Sequence, residues 1–194
     1  MWPARSAIPT IPAHAMVSRD AVDAAEEALS ARSDLESGVE RALDAMESAQ
    51  PALSAQLDAV LDVTTDETAE ALAQFLSVIA WRSFVEAFGA RLNAVEASSL
   101  AAARAMFEYD EELRRGDPHA VLESDDVVAI GQPHLVGFLR DQIEAALEPD
   151  EDGEPAEADP DAVDAVYKSV LVMILAMGQS VAPPRGVVLA PMLA

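Results

Sequence analysis

Three histidines, His14, His119 and His134, are the natural first candidates for chemistry in this chain. Di-metal carboxylate bundles take their ligands from Glu-x-x-His pairs on facing helices. None of the three histidines has a glutamate three positions before it. No spacing puts two of them on one helical turn, so a zinc site is not expected either. His119 and His134 each follow a proline suited to a first helical turn and read as exposed residues near helix starts. Glu148 to Asp161 carries eight acids and no base. A calcium loop of the EF-hand type wants glycine at its sixth position; counted from Asp150, Gly153 comes fourth. The run is a solvated loop by composition, with Pro149, Gly153 and Pro155 inside it. Dinucleotide, phosphate-loop and nucleophile-elbow motifs are missing from the sequence. Glu86 lies one turn after Arg82, the spacing of a surface ion pair. The reading is of a protein without catalytic, cofactor-binding or metal-binding residues, hence not an enzyme.

One apolar group invites a binding role instead. The tail 183–194 follows Pro183-Pro184, cannot be helical through Pro191, and carries Val187, Val188, Leu189, Met192 and Leu193. These five are the candidate partner-binding residues: the segment either docks in a groove on a partner or covers its own body.

The elements that would position such residues are helical. The 194 residues are 51% hydrophobic but only 5% aromatic, and alanine dominates the patterning. Few β-branched or aromatic clusters occur outside helical periods, so an all-α fold is expected. We expect a bundle of about five to seven helices built around Thr64 to Arg115. That stretch opens Thr64-Thr65-Asp66-Glu67, a capping-box pattern. Leu72, Leu76, Ile79, Phe84, Phe88, Leu92, Val95, Met106 and Leu113 follow at mostly helical spacing. It closes with Arg114-Arg115-Gly116-Asp117-Pro118. The stretch reads as one long central helix, or two end to end, bent at Gly89. A helix from Ser18 towards Gln50 precedes it, with a narrow stripe from Val22 to Met46 in coiled-coil style. Pro51 and Pro133 start helices 51–63 and 133–147. The last helix starts at Asp159-Pro160, and its run Val170 to Met177 is too short for a membrane span and reads as buried core.

Organisation follows. Residues 1–17 form an extended arm, 18–182 a single helical domain with an acidic loop at 148–159, and 183–194 the tail. An internal repeat is legible: Gln50-Pro51-Ala52-Leu53, with Leu57, matches Gln132-Pro133-His134-Leu135, with Leu139. This gives half-repeats 50–115 and 132–182, in which helices 51–63 and 133–147, and the cores of 65–88 and 160–180, are equivalent. Coincidence is the competing reading, since a first-turn proline followed by leucines four apart is common.

The formal net charge is −23. It opposes direct contact with nucleic acid or an anionic membrane and favours solubility or a basic partner. There is no cysteine, so thiol catalysis and disulfides are out. Pro9 and Pro12 interrupt what would be the core of a signal peptide, and a cytoplasmic location is expected. The expected function is that of an adaptor, scaffold or regulatory subunit acting on another protein. Helix 18–50 is also compatible with pairing with its own copy in a homodimer. The alternatives are an acidic decoy for a basic, nucleic-acid-binding surface, and a carboxylate-based enzyme within a helical bundle.

Overall fold

Apolar residues three and four apart, interrupted by proline at first turns, produce helices and little else. The computed structural model describes residues 6–30, 35–117, 121–149 and 158–185. Among them are eight α-helices: α1 (Arg19–Ser30), α2 (Leu35–Ala49), α3 (Pro51–Leu61), α4 (Glu67–Phe88), α5 (Ala97–Arg115), α6 (Ser124–Gly131), α7 (Pro133–Leu147) and α8 (Pro160–Ser180). Two short 3-10 turns, Ala13–Ala15 and Gly89–Arg91, precede α1 and α5. The all-α bundle is as expected, with eight helices instead of five to seven.

The additional helices come from two breaks. The stretch 64–115 is not one helix. Gly89 has φ 51°, a conformation that glycine reaches without the Cβ penalty. The chain leaves α4 there and runs extended before α5, with Leu92 bridged to Val181. The expected Thr64–Glu67 capping box is also absent. Asp66 caps α4, its Oδ1 accepting from Ala69 N at 2.7 Å, while the Thr64 hydroxyl donates to Val60 O at the end of α3. A carboxylate one residue before the helix displaces the threonine because it accepts the first-turn donors more strongly.

The predicted helix 18–50 is likewise two. A Cβ on Gly38 would lie 2.7 Å from Leu29 O. In one straight helix residues nine apart are about 13 Å apart, so the chain has folded back and α2 lies against α1. Gly38 therefore permits a close backbone approach across a hairpin. Ser18 does cap α1, accepting from Ala21 N at 3.3 Å.

At the centre α4 and α8 lie side by side and parallel. Asp159 N donates to Asp66 Oδ2 at one end (2.8 Å), Ser77 touches Met173 midway, and Asn93 N donates to Ser180 O beyond the other end (3.2 Å). Every residue from Val170 to Gly178 is buried, so α8 is surrounded, as its all-round apolar sequence predicts. Trp81, Phe84, Leu76 and Ile79 of α4 join that core. Burying each such side chain contributes about 1.5–3 kcal/mol. Residues 67–91 are apolar and long enough to pass for a membrane span by composition, but 56% of the qualifying window is buried inside the bundle.

The described part of the N-terminal arm packs into the same core. Ile8 and Ile11 are buried, and Ile11 fits against Gly131 and Gly178, where a Cβ would come within 3.0 Å of it.

Candidate interaction grooves

The five tail residues Val187, Val188, Leu189, Met192 and Leu193 lie outside the described residues, as do His119 and most of the acidic loop. The sites visible in the structure are different ones, and the sequence reading missed them.

The first is a groove between α3 and α5, with a volume of about 350 Å³. Ala55 and Ala59 of α3 and Ala97, Ala101 and Ala105 of α5 form its walls. Gln56 and Arg104 also line it: buried Gln56 donates to Ser169 Oγ at 2.8 Å and accepts from Arg104. On a different face of α5, Met106, Tyr109 and Leu113 run at spacings of three and four and are 41%, 56% and 42% exposed. The sequence reading placed Met106 and Leu113 on the apolar stripe of the stretch 64–115, read as one helix or two end to end bent at Gly89. The break at Gly89 resets the phase. The buried face of α5 is Leu100, Ala103, Phe107 and Asp110, and the Met106 stripe is left on the outside. Exposed Asp58 is on α3, Asp62 caps its C-terminal end, and exposed Glu108 and Glu112 are on α5.

The second is a polar groove of about 240 Å³ between α5, α6 and α8. Lys168 sits between Glu111 and Asp164, 2.9 Å from each. Burial lowers the Lys168 ammonium, but the two carboxylates outweigh it and leave it raised. Arg140 bonds Asp125 Oδ2 at 2.6 Å and Asp126 Oδ1 at 2.8 Å, and donates to the Tyr167 hydroxyl at 3.2 Å. Burial, chiefly, pushes the Tyr167 hydroxyl up to about 12, so it stays protonated at neutral pH. The guanidinium of Arg140, followed by the Glu123 N–H, holds the Asp126 carboxyl below the usual range. Each cation here already faces its carboxylates, which makes the arrangement a mutual tie between helices.

Among the described residues Asp110 is the most enclosed carboxylate, 1% exposed. It accepts from Ser6 Oγ and Ala7 N at 2.7 Å, from Ser124 Oγ at 2.8 Å, and from Arg114. Burial raises its carboxyl, yet those four donors together leave it lowered. It knots the arm, α5 and α6 together. Sequence gave no sign of this, because Asp110 reads as one acid among many in Glu108–Glu112.

The third opening, about 270 Å³, lies between α1, α2 and α4 and is faced by Arg41 and Arg82. Arg82 pairs with Glu86 at 3.0 Å, both side chains about one-third exposed, the surface contact their spacing predicts. Exposed His134 lies at the rim of a smaller cleft, about 130 Å³, between α1 and α7. His14 Nε2 meets Val181 O at 3.1 Å. Among the described residues no three His, Asp or Glu side chains gather with metal-binding geometry.

No protein-family model matches this chain, and neither the curated proteins nor the solved structures contain a significant match to it.

Proposed function

We propose that the protein is a helical interaction protein, an adaptor, scaffold or regulatory subunit, that receives a basic amphipathic helix on its α3–α5 face. The observation that carries this reading is the alanine-walled groove between α3 and α5. Alanines on both walls let a partner backbone approach closely. Glu108 on the groove lining and the formal net charge of −23 favour a basic partner over an acidic one.

The test compares what the protein captures from its native cell with what Ala101→Glu and Ala59→Leu variants capture, at matched stability. Loss of a wild-type partner from both variants supports the reading. An unchanged set of captured proteins overturns it. Self-association that both variants abolish would identify the partner as a second copy of the chain.

A further inference from the structure

We infer that the chain is a tandem duplication of one four-helix unit, α1–α4 and α5–α8, with halves that start earlier than the half-repeats 50–115 and 132–182 read from sequence, and that each half holds the leader of the other.

The strongest observation is a reciprocal pair of glutamine sockets. Gln50 and Gln132 each cap a helix that begins with proline, with φ/ψ of −140°/64° and −139°/60°. Both side chains are buried. Gln132 Oε1 accepts from Val17 N at 2.8 Å, and its Nε2 donates to Ala15 O at 2.6 Å. Gln50 Oε1 accepts from Val95 N at 2.7 Å, and its Nε2 donates to Asn93 O at 3.2 Å. Each glutamine therefore clamps the N–H of one residue and the C=O two residues earlier. Each clamped segment follows a 3-10 turn and leads into a helix. The clamps are crosswise: the socket in the second half holds the leader of the first, and the reverse.

The burial pattern repeats at the same shifts. Moving 78 residues along takes the buried Val17, Val22, Ala25 and Leu29 onto the buried Val95, Leu100, Ala103 and Phe107. Moving 82 takes Met46, Leu53 and Leu57 onto Val128, Leu135 and Leu139, again all buried. Moving 93 takes Ala73, Val78, Trp81 and Phe84 of α4 onto Val166, Leu171, Ile174 and Met177 of α8. The growth from 82 to 93 falls between α7 and α8, where the acidic run lies. Surface loops accept such insertions at little energetic penalty.

Packing repeats as well. α1 packs on α4 as α5 packs on α8, α2 on α3 as α6 on α7, and α3 on α8 as α7 on α4. Even the clefts correspond: the α3–α5 groove and the α1–α7 cleft are lined at equivalent positions, Ala55 for Gly137, Gln56 for Phe138, and Ala97 and Ala101 for Arg19 and Asp23. Parallel α4 and α8, with their capping Asp66 and Asp159 in contact, mark where an axis relating the halves would run. A first-turn proline with leucines four apart arises by chance. Two buried side chains making the same pair of bonds across the halves do not follow from that local pattern.

Two experiments on the full chain test the inference. In hydrogen exchange, Gln132→Ala is expected to speed exchange of the Val17 amide at least tenfold, and Gln50→Ala that of Val95 by a similar factor. If either substitution leaves its target amide as protected as before, the inference fails. The second is a circular permutant. His14 and Val181 already touch, so Arg185 is joined to Ser6 by about ten Gly/Ser residues, spanning roughly 17 Å, and the chain is opened between Gly89 and Ala90. Equivalent halves predict a monomer of native helix content. An unfolded permutant, beside a folded control opened within the acidic run, overturns the inference; if both permutants fail, the exchange result decides.

Discussion

A single carboxylate decides how the N-terminal arm is held. Asp110 is buried with four donors, and without it Ser6 Oγ, Ala7 N and Ser124 Oγ would lose the acceptor they share while Arg114 would keep only Leu122 O. Removing one partner of a buried charge pair typically costs about 3–5 kcal/mol, so Asp110→Ala is expected to lower stability by roughly 3 kcal/mol in denaturant titration. The effect depends on pH in a definite direction. The folded carboxyl titrates below its unfolded value, so its contribution is fully present above about pH 4. It is lost as pH falls through the folded value. Acid unfolding of the wild type should therefore steepen below about pH 4, and that part of the slope should vanish in Asp110→Asn. A variant with the wild-type acid slope would show that Asp110 is not the responsible group. The opposite case sits on α4. The Ser83 hydroxyl is buried and makes no hydrogen bond. A buried polar group without a partner destabilises by about 1–3 kcal/mol, so Ser83→Ala should raise the melting temperature. A fall would mean the hydroxyl has a partner after all.

Among the elements, the α1–α2 hairpin depends on an absent methyl group. Alanine is favoured over glycine inside a helix by about 1 kcal/mol. At position 38, however, the added Cβ would meet the Leu29 carbonyl oxygen at 2.7 Å, and a backbone atom cannot swing away as a side chain can. Overpacking of this kind costs about 1–3 kcal/mol. Gly38→Ala is thus expected to destabilise, against helix propensity, by roughly 1 kcal/mol net. An increase in thermal stability would show that the two helices part easily. The same contest between local and tertiary preference explains α5. Its sequence supports two apolar faces, and the break at Gly89 chose Leu100–Phe107 for the core and left Met106, Tyr109 and Leu113 outside. Leu35, counted on the stripe of the first helix, is 48% exposed for a related reason: it opens a second helix.

At the scale of the molecule, charge works against compactness. Thirty-five acids face twelve bases, and among the described residues close pairs such as Arg140–Asp126 and Lys168–Glu111 offset part of the repulsion. Screening shortens the reach of repulsion from about 30 Å at 0.01 M salt to about 8 Å at 0.15 M. The melting temperature should rise by several degrees over that range. A fall on adding salt would indicate that ion pairs outweigh the net charge.

The sequence by itself determined the helical class, the proline-started α3, α7 and α8, the buried run Val170–Met177 and the glutamine-proline match. These are local matters: period, first-turn chemistry and a helix apolar on every side carry their meaning within a few residues. Tertiary structure alone decided where the long stretches break, which face of α5 turns inward, and what the glutamines hold. Gly38 reads as a tolerated helix glycine until Leu29 is seen against it. Gln50 reads as a polar residue before a proline until Val95, 45 positions away, donates to it. Contacts between distant segments carry no period in the sequence, and burial follows from which surfaces meet, so those choices were settled only when the whole chain packed.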